Sequence, residues 1–285
     1  MFRKKVDILP AGLILLLFLV DVAVFFLAPW WVVLPVALVG LLPKFCVCAW
    51  NHHHQHVPTF HARALNRGLE VVYGLQTGVP PMGWVFHHNA GHHINYLDQD
   101  KDESRWKTRS GRTMGPLEYS VVVSLTAYPR MLANMVRATP SKRRQFLLWG
   151  AAYACIVAAA VWWNPLHAAL LILLPSVAGL FLTAWHTHAH HAGLDTDDKF
   201  AASWNIVHPV YNALMGNLGY HTAHHVRCSV HWSELPAFHA RIADQIPAHL
   251  YRPPLLPFVV LGHAWDAVRW AGPAAAAADA PPSSK

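Results

Sequence analysis

Charge is scarce in this sequence. Asp, Glu, Lys and Arg make up 13% of its 285 residues, about half the roughly 25% usual in soluble domains. Hydrophobic residues reach 54%. That balance excludes an ordinary water-soluble domain and points to a bilayer. Glutamate occurs only at Glu70, Glu103, Glu118 and Glu234. With no pair of Glu-x-x-His motifs, a soluble ferritin-like di-iron bundle is excluded. The four cysteines form no CxxC pair and no zinc-finger spacing. Cys46, Cys48 and Cys155 lie in apolar runs and read as small buried hydrophobes rather than disulfide or iron–sulfur partners. The absence of HExxH disfavours a zincin-type hydrolase, and there is neither a glycine-rich phosphate loop nor a Gly-x-Ser-x-Gly elbow. Although the net charge is +7, the basic residues mostly flank apolar runs, as expected beside a membrane. Nucleic acid is therefore not the expected partner.

Histidine is what the chain has in excess, with 22 residues. Seventeen of them lie in or beside four knots, counting His61 and His231 as neighbours. The knots are His52-His53-His54-Gln55-His56, His87-His88-Asn89-Ala90-Gly91-His92-His93, the group His186, His188, His190 and His191, and Gly219-Tyr220-His221-Thr222-Ala223-His224-His225. His167, His208, His239, His249 and His263 stand apart and read as ordinary residues.

The apolar runs place these knots. Arg3-Lys4-Lys5 precede a run from Ile8 to Ala28, long enough to cross a bilayer core. It is too long for a signal peptide and no small-x-small cleavage site follows, so a retained helix is expected. Asp21 inside it is costly in lipid and is expected to face protein. Pro29, Trp30 and Trp31 mark an interfacial turn, and Val32 to Ala49 brings the chain back. A second hairpin runs from Gln145 to Trp163, turns at Asn164-Pro165 and returns from Leu166 to Trp185. Trp30, Trp31, Trp162, Trp163 and Trp185 read as interfacial anchors.

Between the hairpins, residues 50–145 are mostly polar. Pro116–Val136 is moderately apolar but carries Glu118 and Arg130, which predicts an interfacial or re-entrant helix. Asp98, Asp100, Asp102 and Glu103, interspersed with Lys101 and Arg105, read as a solvated loop. The expected fold is an all-α integral membrane protein with about four transmembrane helices in two hairpins and a histidine-rich cap holding a dimetal site. Residues 1–271 form the membrane-embedded catalytic domain, and the low-complexity tail 272–285 is expected to be disordered. An even number of spans separates the knots, so all face the side of the amino terminus. Basic residues cluster there, which assigns the amino terminus, the cap and the carboxyl terminus to the cytoplasm.

Neutral imidazole ligates zinc, copper, iron and nickel. His52 and His56, at i and i+4, share one helical face; His88 and His92 repeat the spacing beside His93, and His221, His224 and His225 stack at i, i+3 and i+4. About eight convergent nitrogens are too many for one tetrahedral zinc. Two metals sharing the set is the economical reading. Adjacent histidines diverge by about 100° on a helix, so each pair can serve two neighbouring metals.

The order HxxxH, then a His…His-His box, then HxxHH, around two hairpins, resembles the membrane fatty-acid desaturase and hydroxylase superfamily over roughly residues 45–240. Asn217 to His225, followed by His231-Trp232-Ser233-Glu234-Leu235-Pro236, is especially similar to bacterial members, which implies a bacterial inner membrane. His191-Ala192-Gly193-Leu194-Asp195 resembles the family's extra ligand after the fourth span. The resemblance implies two irons held by His52, His56, His88, His92, His93, His191, His221, His224 and His225. His53, His87, Asn217 and Asp195 are candidates for supporting roles around them. The second box reads HxxxHH where most desaturases have HxxHH, and in this it looks more like membrane alkane hydroxylases.

The resemblance thus implies an O2-dependent non-haem di-iron oxidoreductase that abstracts hydrogen from unactivated C–H bonds of a fatty acyl or lipid chain. Fatty acid desaturation is the first expectation, on the third box. Fatty acid or alkane hydroxylation, or decarboxylation to a terminal alkene, is the alternative. A membrane metal transporter or sensor, which would line the middle of several spans with ionisable residues, is disfavoured because Asp21 alone is read as such a residue and the histidines sit at span ends. With neither a haem-binding His-Pro-Gly-Gly nor a cysteine cluster, electrons are expected from a separate ferredoxin- or rubredoxin-type carrier with its reductase.

Overall fold

The computed structural model describes residues 1–270, with side chains to residue 264; the tail assigned above to 272–285 lies outside the described residues. Helices dominate, and among the described residues only isolated β-bridges occur, with no strand. Four helical stretches are long and apolar enough to cross a membrane: Lys5–Leu27, Trp30–His56, Pro140–Trp163 and Pro165–His191. The first contains α1 (Ile8–Leu27), the second is α2 (Trp30–His56) and the third α5 (Pro140–Trp163). The fourth joins α6 (Pro165–Ala168), a π turn at Ala169–Leu173 and α7 (Leu174–His191).

The two hairpins turn at the same end of the bundle. The Phe26 and Trp163 rings meet edge to face at 6.3 Å, and His167 Nδ1 lies 2.8 Å from the carbonyl of Phe25. Trp30, Trp31, Trp162 and Trp163 are all exposed at this end, as an aromatic belt requires. Leu9, Leu13, Leu16 and Leu19 point outward from α1; in a bilayer such a face meets acyl chains, and α1 needs no protein cover there. Cys46 and Cys48 are buried as expected, whereas Cys155 is exposed on α5. Phe146 is the one buried residue of that helix, so an apolar run there does not imply a protein core.

Asp21 finds its partner on α2. Its carboxylate lies 3.0 Å from Lys44 Nζ, which also donates to the carbonyl of Leu171 at 3.0 Å. Lys44 is almost completely buried inside the second span, which corrects the reading of Asp21 as the lone ionisable residue within the spans. A charge inside a span is tolerated when paired and given further hydrogen bonds, so this contact ties α1, α2 and the π turn of the fourth span together.

The polar middle of the chain folds against the bundle. It holds α3 (Arg63–Thr77), a π-helix (Val85–His93) and α4 (Pro116–Arg137). The stretch expected to be interfacial or re-entrant is therefore a 22-residue helix. It packs most extensively along α7 and the π-helix, with Tyr119 Oη donating to the carbonyl of Ser104 at 2.8 Å. Short helices α8 (Pro209–Leu214), α9 (His221–Val226) and α10 (Leu235–Ile242) complete a cap around the ends of α2 and α7, followed by α11 (Phe258–Trp270). Ala223, Leu235, Ile242, Ile246 and Leu250 form the cap's own core.

Lys44→Met leaves Asp21 buried without its partner and is expected to cost about 3–5 kcal/mol, read as a lower midpoint of thermal unfolding in detergent. The double variant Asp21→Leu/Lys44→Met is expected to recover most of that loss; no recovery would mean the pair contributes through shape alone.

Candidate metal centre

The first box ends α2. Its i, i+4 spacing brings His52 Nε2 and His56 Nε2 to 3.2 Å. Gln55 locks this turn to the second box: its side-chain oxygen accepts from the Val85 amide at 3.2 Å, and its carbonyl accepts from Asn89 Nδ2 at 3.0 Å.

The second box lies within the π-helix, and this accounts for its unusual spacing. On an α-helix, residues i and i+5 point about 140° apart, so His88 and His93 would diverge. A π turn advances about 80° per residue, which sets i+4 and i+5 within about 50° on either side of residue i. His88, His92 and His93 therefore face one direction. The extra residue relative to HxxHH is absorbed by the wider turn. Gly91 permits this packing, since a Cβ there would lie 2.4 Å from Glu103 Cγ.

The third box forms α9, held by a buried amide and hydroxyl network. Asn205 accepts from the Thr222 amide at 3.1 Å and donates to Thr222 Oγ1 at 2.8 Å, and Ser203 Oγ lies 2.9 Å from the same hydroxyl. Asn212 accepts from the Gly219 amide at 3.0 Å and donates to the Ile206 carbonyl at 3.0 Å. A Cβ on Gly219 would come within 2.1 Å of that carbonyl, so only glycine fits the entry to α9.

These elements gather all nine histidines. His52, His56, His88, His93 and His224 form one group of convergent nitrogens and His92, His191 and His225 a second, each with donor atoms within 4.8 Å of one another. His221 Nε2 joins the second group at 2.9 Å from His191 Nε2. The groups adjoin: the His93 and His225 rings stack at 4.3 Å.

Hydrogen bonding among these rings does not satisfy them. Nε2 atoms approach at 2.8 Å for His52 and His88, 3.0 Å for His93 and His224, and 3.3 Å for His92 and His191. His225 has no partner at either ring nitrogen, and a buried nitrogen so left costs about 1–3 kcal/mol. Donors bonded to one cation at about 2.1 Å would lie about 3.0–3.4 Å apart at right-angled or tetrahedral positions. The spacing and the all-imidazole donor set thus fit two adjacent metal ions. Burial, reinforced by neighbouring imidazoles, holds His88, His93, His221, His224 and His225 well below the usual histidine range. They stand neutral, as ligands must.

Surrounding residues divide by position. Asp102 is buried and its carboxylate lies 2.8 Å from His92 Nδ1, also accepting from the Ser104 amide at 2.7 Å. The reading of residues 98–103 as a solvated loop is thereby corrected for Asp102. Asp98 and Asp100 do behave as loop residues, and nothing local in the sequence separates Asp102 from them. His191 Nδ1 is 3.2 Å from the Ala202 carbonyl, and His190 stacks on His221 at 4.0 Å with Nε2 3.1 Å from Tyr211 Oη. His53 packs beside His224 with a ring separation of 5.9 Å, and His87 lies near the group without bonding to it. Asp195 instead pairs with Lys107 at the surface, and Asn217, in a left-handed turn, donates to the carbonyl of Trp232 at 3.1 Å. His54 turns away to Thr59 and Glu70.

A crevice with about 970 Å³ of empty space, partly open to its surroundings, begins at His52, His88 and His221. It continues between α2, α4 and α7 past Phe45, Val123, Met131 and Leu180. Its walls are mostly apolar.

Compared with protein families, residues 28–254 match the fatty acid desaturase family. The chain belongs to that family. No curated protein and no solved structure matched it. Membership makes the chain an integral membrane protein of the desaturase and hydroxylase oxidoreductase type, a class known for metal-dependent catalysis.

Asp102→Asn keeps the shape but removes the charge facing His92, and metal affinity is expected to fall about 10- to 100-fold, measured by competition with a chelator. For the metal-free protein, the buried imidazoles take up protons only on unfolding. Stability is therefore expected to fall as pH drops below about 6.5, the unfolded histidine value; a flat thermal midpoint between pH 7 and pH 5 would contradict the burial described here.

Proposed function

We propose that this desaturase-family protein is a di-iron, O2-dependent enzyme that oxidises an unactivated C–H bond of a fatty acyl or lipid chain, with desaturation as the reaction. The observation that carries this reading is the apolar crevice ending on three candidate ligands, His52, His88 and His221. Two irons held by the nine histidines would supply O2 activation and an oxidant able to remove hydrogen from a saturated carbon.

The chain's own residues do the rest. Phe45, Val123, Met131 and Leu180 offer an acyl chain the same apolar surroundings as the bilayer, so entry costs little. The crevice confines the chain so that few carbons can reach the ligands, which is how a static wall sets position along a featureless alkyl group. Asp102, Ala202 and the Asn205–Thr222 network hold the imidazoles rigidly while the substrate enters. Electrons come from a separate carrier at the cap, which faces the cytoplasm in the orientation read from the basic residues.

Hydroxylation is the second reading, favoured by the four-residue spacing of His88 and His92. The π-helix weakens that argument, because it gives HxxxHH the facing arrangement of HxxHH.

Mass spectrometry of lipids and headspace from a bacterial host expressing the protein tests the reading, with His221→Ala as control. A new internal double bond, reduced at least about 100-fold in the variant by loss of a metal ligand, is the expected result. A hydroxylated chain or a terminal alkene would replace desaturation by the alternative outcome, and an unchanged product in His221→Ala would remove His221 from the centre.

A further inference from the structure

The crevice is not uniformly apolar. Apart from the candidate ligands, five side chains lining it carry buried polar atoms with no hydrogen-bond partner: Trp84 Nε1, both ring nitrogens of His87, Ser124 Oγ, Thr183 Oγ1 and both ring nitrogens of His186. Two of them, Trp84 and His87, are neighbours, with rings 6.1 Å apart. Trp84 and His87 are each more than nine-tenths buried. A plain alkyl chain would leave every one of these atoms unsatisfied, at about 1–3 kcal/mol each. The same walls carry no Lys or Arg, so no side chain beside Trp84 and His87 supplies a permanent positive charge to an anion.

The donors and acceptors define what would fit. An indole N–H only donates, a neutral imidazole offers one donor and one acceptor, and a hydroxyl does both. An uncharged oxygen can accept from Trp84 and from the neighbouring His87, and a hydroxyl can also donate to the bare imidazole nitrogen. The position is close to the reacting end: the Trp84 ring lies 5.7 Å from that of His88 and 6.5 Å from that of His52.

We propose that Trp84 and His87 form a recognition patch for an uncharged oxygen function, a hydroxyl or a carbonyl, carried on the lipid substrate within a few bonds of the carbon that is oxidised. This rests on the crevice being the substrate site. It adds that the substrate is an oxygenated lipid, held by its oxygen, and that the reaction is directed to carbons near that group.

Binding tests this without turnover. Labelled hexadecane, hexadecanol, methyl hexadecanoate and hexadecanoate are titrated into the purified, metal-loaded full-length protein in detergent. The alcohol or the ester is expected to bind roughly tenfold tighter than the hydrocarbon, the worth of one to two net hydrogen bonds. The charged hexadecanoate gains nothing over the ester. An alcohol preferred over the ester assigns a hydroxyl; equal binding, or a preference for the ester, assigns acceptance by a carbonyl or hydroxyl oxygen. In Trp84→Phe and His87→Phe the preference is expected to shrink towards one.

Equal affinity for hydrocarbon and oxygenated probes in the wild type would overturn the proposal and leave the patch to water. Tightest binding of the carboxylate would overturn it as well, as would a preference kept intact in both variants. The wild-type ratio decides even if a variant folds poorly. If the protein oxidises plain chains yet shows no preference, this proposal fails and the proposed function stands. If it binds the oxygenated probes but oxidises no lipid, the reverse holds.

Discussion

Neutral imidazole nitrogens crowded within about 3 Å of one another cannot all be satisfied by hydrogen bonds among themselves, and the rest of this structure depends on that constraint. Each ring can donate at one nitrogen only, whereas His52 Nε2 faces both His88 and His56, and His191 Nε2 faces both His92 and His221. Charging the rings is no remedy, because burial and mutual repulsion both oppose it. The chain holds nine such groups in place through the architecture beneath them, so that much of the fold serves to keep the rings convergent.

That architecture is economical. Two hairpins turn at one end and deliver the ends of α2 and α7, with His52, His56 and His191, to the other. Because lipid covers their outer faces, the spans need little protein contact, and the buried Asp21–Lys44 pair fixes the first hairpin against the fourth span. The polar middle of the chain supplies the second box and Asp102. The carboxyl-terminal cap supplies the third through amide and hydroxyl contacts. An apolar crevice runs from these candidate ligands into the bundle, so in the proposed function a hydrocarbon chain would meet the metal where the dielectric changes. Chemistry on saturated carbon needs such a place.

Much of this could be read in the residues. Hydropathy located both hairpins and their turns, because a bilayer imposes length and apolarity on any span. Parity of spans put the four knots on one side, and three histidine boxes gave the candidate ligands their order. Other features required tertiary contacts. Asp21 was recognisable as costly, but its partner Lys44 is 23 positions away on another helix. Asp102 looks no different from Asp100 until the loop folds back on His92. The π-helix at Val85–His93 has no simple periodicity signal, and without it HxxxHH reads as a different box. The unsatisfied nitrogens of Trp84 and His87 appear only once the walls of the crevice exist, since an orphaned group is a property of surroundings.

We propose that nine imidazoles hold two adjacent irons. Metal analysis of the purified protein together with X-ray absorption at the iron edge tests it most directly. The account predicts two irons per chain, each in a shell dominated by nitrogen at imidazole distances, with a second iron as near neighbour. A single metal per chain, a shell rich in carboxylate oxygen or sulfur, or zinc in place of iron in protein that is active would contradict it.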